Sequence, residues 1–352
     1  MVTVSYGATF GGAGSVAGEV IVFDDATLTN ASSGAQLTVG SLSLNSTSTV
    51  QAYLGTTSQG ALYNVAGDLM LDGNLDILSA ANGAGVYKLM TYGGALTSNG
   101  MDIRAVPTGY RAGLYLNASG EVRLGLADAA GYQSWTASGS TTLGGSGLWT
   151  SDGQTWLDDN GSVVTAWGGT VGVFDGTAGT VTVRGVQQFK TLEFVTTNYV
   201  LAPQGGSAGL NFTDGGTLWT EGVGVTANVV TTISGTGGLK KTGAGTLFLL
   251  GTNTYSGGTR IEAGTLSVAS DANLGIGGIT LANGSTLAAT SSFTSSRAIA
   301  LEAGGIIDTP AELTLSGVIS GNAWLLKSGT GTLILTGANT YTIGTTVADG
   351  IV

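Results

Sequence analysis

The 352-residue sequence contains no cysteine, no histidine and only three prolines. Without cysteine there is no disulfide framework. Without histidine there is no Ser-His-Asp or Cys-His catalytic apparatus. The two absences together remove the ordinary zinc, haem and iron–sulfur sites. Charge is also scarce, with 22 acidic and 11 basic residues making up 9% of the chain, against roughly 25% in an ordinary soluble domain. Eleven cations spread thinly under a net charge of −11 make no phosphate-tracking surface, so nucleic acid is excluded as a partner. The one adjacent basic pair, Lys240-Lys241, reads as a solvated turn. No apolar run is long enough for a membrane-spanning helix. Met1 is followed by VTVSYGATFGG, which lacks the basic and apolar regions of a signal peptide. The β pattern is already running at Val2 and still running at Val352. That reads as a piece of a longer protein with Met1 as an added start.

What is abundant is glycine, at 62 residues, beside a hydrophobic fraction of 42%. Glycine has no three-residue period, so collagen is excluded. The apolar content argues against a disordered tail. No window sustains a helical apolar stripe free of glycine. Short alternations recur instead, among them Leu37-Thr38-Val39, Thr180-Val181-Thr182-Val183 and Thr246-Leu247-Phe248-Leu249. Gly, Asn, Asp or Ser bounds each one and supplies a turn. The fold class is therefore all-β.

Internal repetition decides the architecture. Leu239–Leu266 aligns with Leu325–Val352 at an offset of 86 residues, with 14 of 28 positions identical. Upstream, Ile233-Ser234-Gly235 matches Ile319-Ser320-Gly321 at the same offset. Leu247, Leu266, Leu287, Ile306 and Leu326 follow one another at intervals of about 20 residues. The 86-residue offset then holds about four turns of roughly 21 residues, the size of one turn of a right-handed parallel β-helix. About 16 such turns, stacked at about 4.8 Å, would make a rod on the order of 75–80 Å long. Leu, Val, Ile and Phe would form the inner ladders, and Thr, Ser and Asn the outer ones.

The stretch Gly235–Val268, GTGGLKKTGAGTLFLLGTNTYSGGTRIEAGTLSV, resembles the passenger-associated transport repeat of autotransporters, the type V secreted surface proteins of Gram-negative bacteria. The pattern is met at Leu239, Lys241, Gly243, Gly245, Thr246, Leu247, Leu249, Gly251, Asn253, Thr254, Tyr255, Gly257, Gly258, Thr259, Ile261, Gly264, Thr265, Leu266, Leu274 and Gly275. The second copy departs from it at Ile343, where the pattern prefers Gly, and at Ile351-Val352. The flanks resemble the same family less specifically, in Trp167–Val183 and Gly67–Ile103. The resemblance implies a passenger exported through the outer membrane by a C-terminal 12-stranded barrel, with no membrane insertion by these residues. It also suggests three segments. Residues 1–128 would end one passenger unit, 129–234 would be a Trp-rich lead-in, and 235–352 would carry two repeats, the second truncated.

Four features invite a chemical reading. Gly205-Gly206-Ser207-Ala208-Gly209 matches the G-x-S-x-G hydrolase elbow, but lacks its histidine and its helix, and reads as a glycine turn. Asp24-Asp25, Asp158-Asp159 and Asp175 could serve polysaccharide chemistry as paired carboxylates, with Asp158 or Asp159 as acid and Asp175 as partner. Turn chemistry explains them better, since Asp158-Asp159-Asn160-Gly161 is a good turn sequence and no Lys or Arg lies between Arg123 and Arg184. Asp152, Asp158, Asp159 and Asn160 offer oxygen ligands for calcium at a spacing that matches no calcium loop. Trp135, Trp149, Trp156 and Trp167 fit a core or side-loop cluster better than an exposed binding strip. Tyr255 and Tyr341 occupy equivalent repeat positions, as structural residues over a corner.

No catalytic, cofactor-binding or metal residue is therefore assigned, and no cofactor is expected. The expected function is a non-enzymatic adhesin or structural passenger at the bacterial surface. Its partner would be a host extracellular-matrix protein, a cell-surface receptor, or a second rod in cell–cell self-association and biofilm. The alternatives are a polysaccharide-active enzyme and a pure spacer or secretion-aid stalk.

Overall fold

The computed structural model describes every residue except 57–59, 81, 82, 84, 109, 118, 119, 129–131, 159–162, 169, 170 and 283. The chain is all-β. Its parallel strands stack as a β-solenoid of about 15 turns, divided between two units, Met1–Tyr132 and Gln133–Val352. The one helical segment among the described residues is a single 3₁₀ turn, Asp271–Leu274.

In the first unit, successive turns place Val4, Val22 and Leu44 in one inward ladder. Phe10, Leu28, Val50, Leu75 and Ile103 form a second. Side chains alternate along each strand, so these residues point in while Thr27, Thr38 and Ser43 stay in part-exposed positions between them. Parallel stacking ends at an antiparallel hairpin, where Tyr110–Asn117 pairs with Glu121–Asp128, which pairs in turn with Gly85–Tyr92. Antiparallel strands close a parallel stack because the chain can turn straight back on itself instead of climbing a further turn.

The second unit opens on antiparallel strands and then becomes regular. Ser134 and Trp135 face Leu157 and Trp156, and that strand pairs with Val164–Thr165. Two long sheets of 11 and 10 strands run along the unit, and three-stranded sheets form parts of a third face. The inward ladder of the 11-stranded sheet reads Leu192, Leu218, Lys241, Ile261, Leu281, Leu301. In the 10-stranded sheet it reads Ala227, Leu247, Leu266, Leu287, Ile307, Lys327. Both lysines are fully buried. The reading of Lys240-Lys241 as a solvated turn is thus overturned. The pair lies within the strand Leu239–Thr242, with Lys240 outward and Lys241 inward. Period-2 alternation decides which of the two enters the core.

Register also corrects the turn length. Leu239, Thr259, Ile279, Ile299 and Ile319 are stacked partners, so four turns occupy 80 residues. The 86-residue repeat exceeds four turns by six residues, which is the step from one face to the next. Leu239–Thr242 therefore lies in the 11-stranded sheet, while its repeat equivalent in Trp324–Ser328 lies in the 10-stranded one.

Glycine holds the turns at strand spacing. A Cβ on Gly257 would lie 2.4 Å from the carbonyl carbon of Gly237, one turn below. On Gly237 it would lie 2.1 Å from the Gly215 nitrogen. Neither position has room for a side chain, because the obstacle is backbone.

Two outcomes follow for stability. Leu266→Ala removes a fully buried ladder side chain and should cost about 2–5 kcal/mol, read as a lower denaturation midpoint of the second unit. Gly257→Ala adds one methyl and should still destabilise by about 1–3 kcal/mol through overpacking. A neutral Gly257→Ala would show that the corner can open.

Candidate functional site

Most sequence-predicted candidates resolve into turn chemistry. Asp24 Oδ1 accepts hydrogen bonds from the Thr47 amide and hydroxyl, both at 3.1 Å, and from Ser46 Oγ at 3.4 Å. These donors hold its carboxyl below the usual carboxylate range, the Thr47 amide most of all. Asp25 follows with φ +57°, a left-handed turn position that Asp tolerates. Asp158 Oδ1 accepts the Val163 amide at 3.0 Å and closes the hairpin between Trp156–Leu157 and Val164–Thr165. Asp175 is buried and accepts from the Gly176 amide at 2.7 Å and Thr196 Oγ1 at 3.1 Å. Asp159 and Asn160 lie outside the described residues. Among the described residues no three metal-ligating His, Cys, Asp or Glu side chains gather. Ser207 sits in an exposed glycine turn between the strands Tyr199–Pro203 and Gly209–Phe212. The structure thus gives the Asp24, Asp158 and Asp175 carboxylates local partners, each on a separate turn.

The tryptophans are core. Trp135, Trp149 and Trp156 are fully buried. Trp156 makes edge contacts with Trp135 at 5.4 Å and Trp149 at 4.9 Å between ring centroids, and Trp167 covers it at 4.4 Å. Phe174 then stacks on Phe194 at 5.0 Å and passes the column into the next turn. Trp135 and Trp149 stand on the first strands of the two long sheets, so the cluster fills the interior at the antiparallel end of the second unit.

The repeats share an inner polar scaffold. Lys241 Nζ donates to the carbonyls of Thr242 at 2.9 Å, Gly243 at 2.8 Å and Ala263 at 3.1 Å. Lys327 Nζ donates to the equivalent carbonyls of Ser328, Gly329 and Asp349, at 2.6, 2.5 and 3.2 Å. Asn253 Oδ1 accepts the Ile233 amide at 2.8 Å, and Asn339 Oδ1 accepts that of Ile319 at 2.8 Å. Tyr255 and Thr259 share a hydroxyl–hydroxyl bond of 2.6 Å, matched by Tyr341 and Thr345 at 2.5 Å. Tyr255 is fully buried, and burial pushes its phenol far above the ordinary range. Ile343 projects into solvent at its corner and so overpacks nothing. Sequence reasoning missed the inward lysines. The equivalence of Lys241 and Lys327 in an otherwise variable pattern was the available signal.

A trench of about 720 Å³ runs along the outer face of the 11-stranded sheet, crossing the turns from Asp214 to Ser320. One side is the glycine floor of Gly238, Gly258 and Gly278. Lys240, Arg260 and Thr280 stand along the other. Arg260 pairs bidentately with Glu302 at 3.0 and 2.7 Å and with Glu262 at 3.1 Å. The cations are thus balanced by carboxylates, and the trench presents hydroxyls, backbone and paired charge.

A stack of parallel turns with locked inner polar points defines a repeat-built β-solenoid. Residues 239–268 and 325–352 both match the model of the passenger-associated-transport-repeat. The chain is 36% identical to the adhesin BmaC autotransporter of Brucella suis biovar 1 (strain 1330), over 94% of this chain and 10% of that protein. The chain carries two passenger-associated transport repeats and is similar to a segment of that autotransporter. It spans about a tenth of the length of the curated relative it matches. No solved structure matches it. Among the described residues, no helix is long and apolar enough to cross a membrane.

Burial pushes the Lys241 amine down to about 7 from an ordinary 10.5. In the unfolded chain the amine keeps its proton up to the higher value, so the unfolded state binds more protons between the two. Stability should therefore climb as pH rises from about 7 to about 10.5, with no contribution to the slope below. Denaturation across that range should show the climb, and Lys241→Met should remove it. An unchanged slope in Lys241→Met would assign the dependence to other groups.

Proposed function

We propose that this chain is part of a non-enzymatic adhesive passenger, exported across the outer membrane and displayed on the bacterial surface. The observation that carries this reading is the division between inside and outside. The inner ladders recur from turn to turn and the polar points from repeat to repeat, while the outer faces present Thr, Ser, Asn and backbone. Such a surface binds by many individually weak contacts. The relative named as an adhesin supports the reading. The partner would be a host extracellular-matrix protein, a cell-surface receptor, or a second passenger in cell–cell association and biofilm. Residues 1–128, 129–234 and 235–352 are read as the end of one passenger unit, a lead-in, and the repeat-bearing segment.

Attachment of purified protein to immobilised matrix proteins and to itself tests this reading. Filling the trench with Thr280→Trp or Ala300→Trp should weaken attachment about fivefold or less, since a contact outside a hot spot contributes under about 1 kcal/mol. A single substitution that abolished attachment would rule out a distributed surface. Polysaccharide turnover that vanished in Asp175→Ala would overturn the non-enzymatic reading.

One observation favours a second role for the repeats themselves. Many of their shared side chains are inward ones, including Leu239, Lys241, Leu247, Asn253 and Tyr255. Several outward ones differ, as at Lys240 against Leu326 and Arg260 against Thr346, although Thr254 and Thr340 are shared and exposed. The repeats then serve mainly as stalk and secretion aid. In the full-length protein, deleting residues 235–352 should impair export more than it impairs attachment per exported molecule.

A further inference from the structure

An apolar solenoid has a register problem. Leu247, Leu266, Leu287 and Ile307 occupy the same inward place in successive turns. Aliphatic side chains of similar volume substitute for one another at small cost. A strand that skipped a turn would therefore still bury a leucine on a leucine, with the skipped turn looped out. Backbone hydrogen bonds do not prevent this, because every turn offers the same ladder.

Lys241 breaks that equivalence. Two of its acceptors, Thr242 and Gly243, belong to its own corner, but the third, Ala263, belongs to the corner one turn on. Its ladder neighbours are Leu218 and Ile261. If another turn lay on top, the amine would remain buried with an unused donor, which costs far more than a mismatched methyl. The three carbonyls match the three N–H donors of the protonated amine.

Lys327 makes the same three-carbonyl contact between Ile307 and Val347, reaching forward to Asp349. It does so on the neighbouring face, six residues past four full turns. The arrangement therefore belongs to the repeat sequence and not to one face of the solenoid. Outward residues of the two repeats have diverged around it.

We propose that Lys241 and Lys327 are register locks, positioning residues that admit one stacking of turns out of several apolar ones of similar energy. This role in folding goes beyond the adhesive reading and stands whether or not the surface binds a partner.

The chain has no native cysteine, so introduced pairs report register without background. Thr246 lies beside Thr265, which lies beside Thr286. Thr246→Cys with Thr265→Cys spans one turn, about 4.8 Å, and should oxidise to a disulfide on refolding. Thr246→Cys with Thr286→Cys spans two turns, about 9.6 Å, beyond disulfide reach, and should stay reduced. Adding Lys241→Met should raise the two-turn cross-link several-fold above background, with the β circular dichroism kept. Ile261→Met, the same side chain at the next place in the ladder, should leave the pattern unchanged. The proposal is overturned if Lys241→Met cross-links as the parent does, or if Ile261→Met slips equally. It is also overturned if Lys241→Met fails to fold, since the lysine would then be a general stabiliser and not a selector among registers.

Discussion

The structure depends on one spacing. Parallel strands hydrogen-bond at about 4.8 Å, so every turn of the second unit must lie that close to the last at every corner. Backbone meets backbone there, and Gly237 and Gly257 leave no volume for a β-carbon. The large glycine content follows from that constraint and not from flexibility. So does the low charge, because closely stacked faces place like residues directly above one another. Ionised ladders would repel, whereas Thr ladders such as Thr246, Thr265 and Thr286 do not. On the outer face of the 11-stranded sheet, Arg260 is paired across turns with Glu302.

A stack built this way needs ends and a defined order. The first unit ends its parallel stack with the antiparallel hairpin of Tyr110–Asn117 and Glu121–Asp128. The second opens with antiparallel strands around Trp135, Trp149 and Trp156. Large aromatic rings fill the interior at that antiparallel end of the second unit. Order within the stack comes from sparse polar points. Asn253, Tyr255 and Lys241 each bond across a corner or to the next turn, and each recurs 86 residues on.

Much of this was legible in the sequence. Alternation and turn residues gave the strands, and the 86-residue match gave a solenoid with transport repeats. The preference for a core role at Trp135, Trp149 and Trp156 agreed with their burial. Two things were not legible. The phase of a four-residue strand decides whether Lys240 or Lys241 points inward, and a basic pair carries no phase signal of its own. Turn length failed for a different reason. Leucine spacings of about 20 residues are correct for one turn, but an error of one residue per turn over four turns nearly equals the six-residue step between faces. Only strand register distinguishes a repeat that returns to its own face from one that advances.

That advance separates two demands on the same sequence. If the repeats marked a ligand site, their common residues would face solvent and would recur on one side. Instead the common residues that make specific side-chain bonds, Lys241, Asn253 and Tyr255, face inward, and the second copy lies one face round from the first. Selection for a fixed binding geometry would not tolerate that rotation, whereas selection for interior closure would not register it. The interior of a β-solenoid looks alike from each of its faces, because each supplies an inward ladder of the same kind. A motif that serves the interior is free to drift around the axis, and the outer surface is left to whatever the passenger must touch.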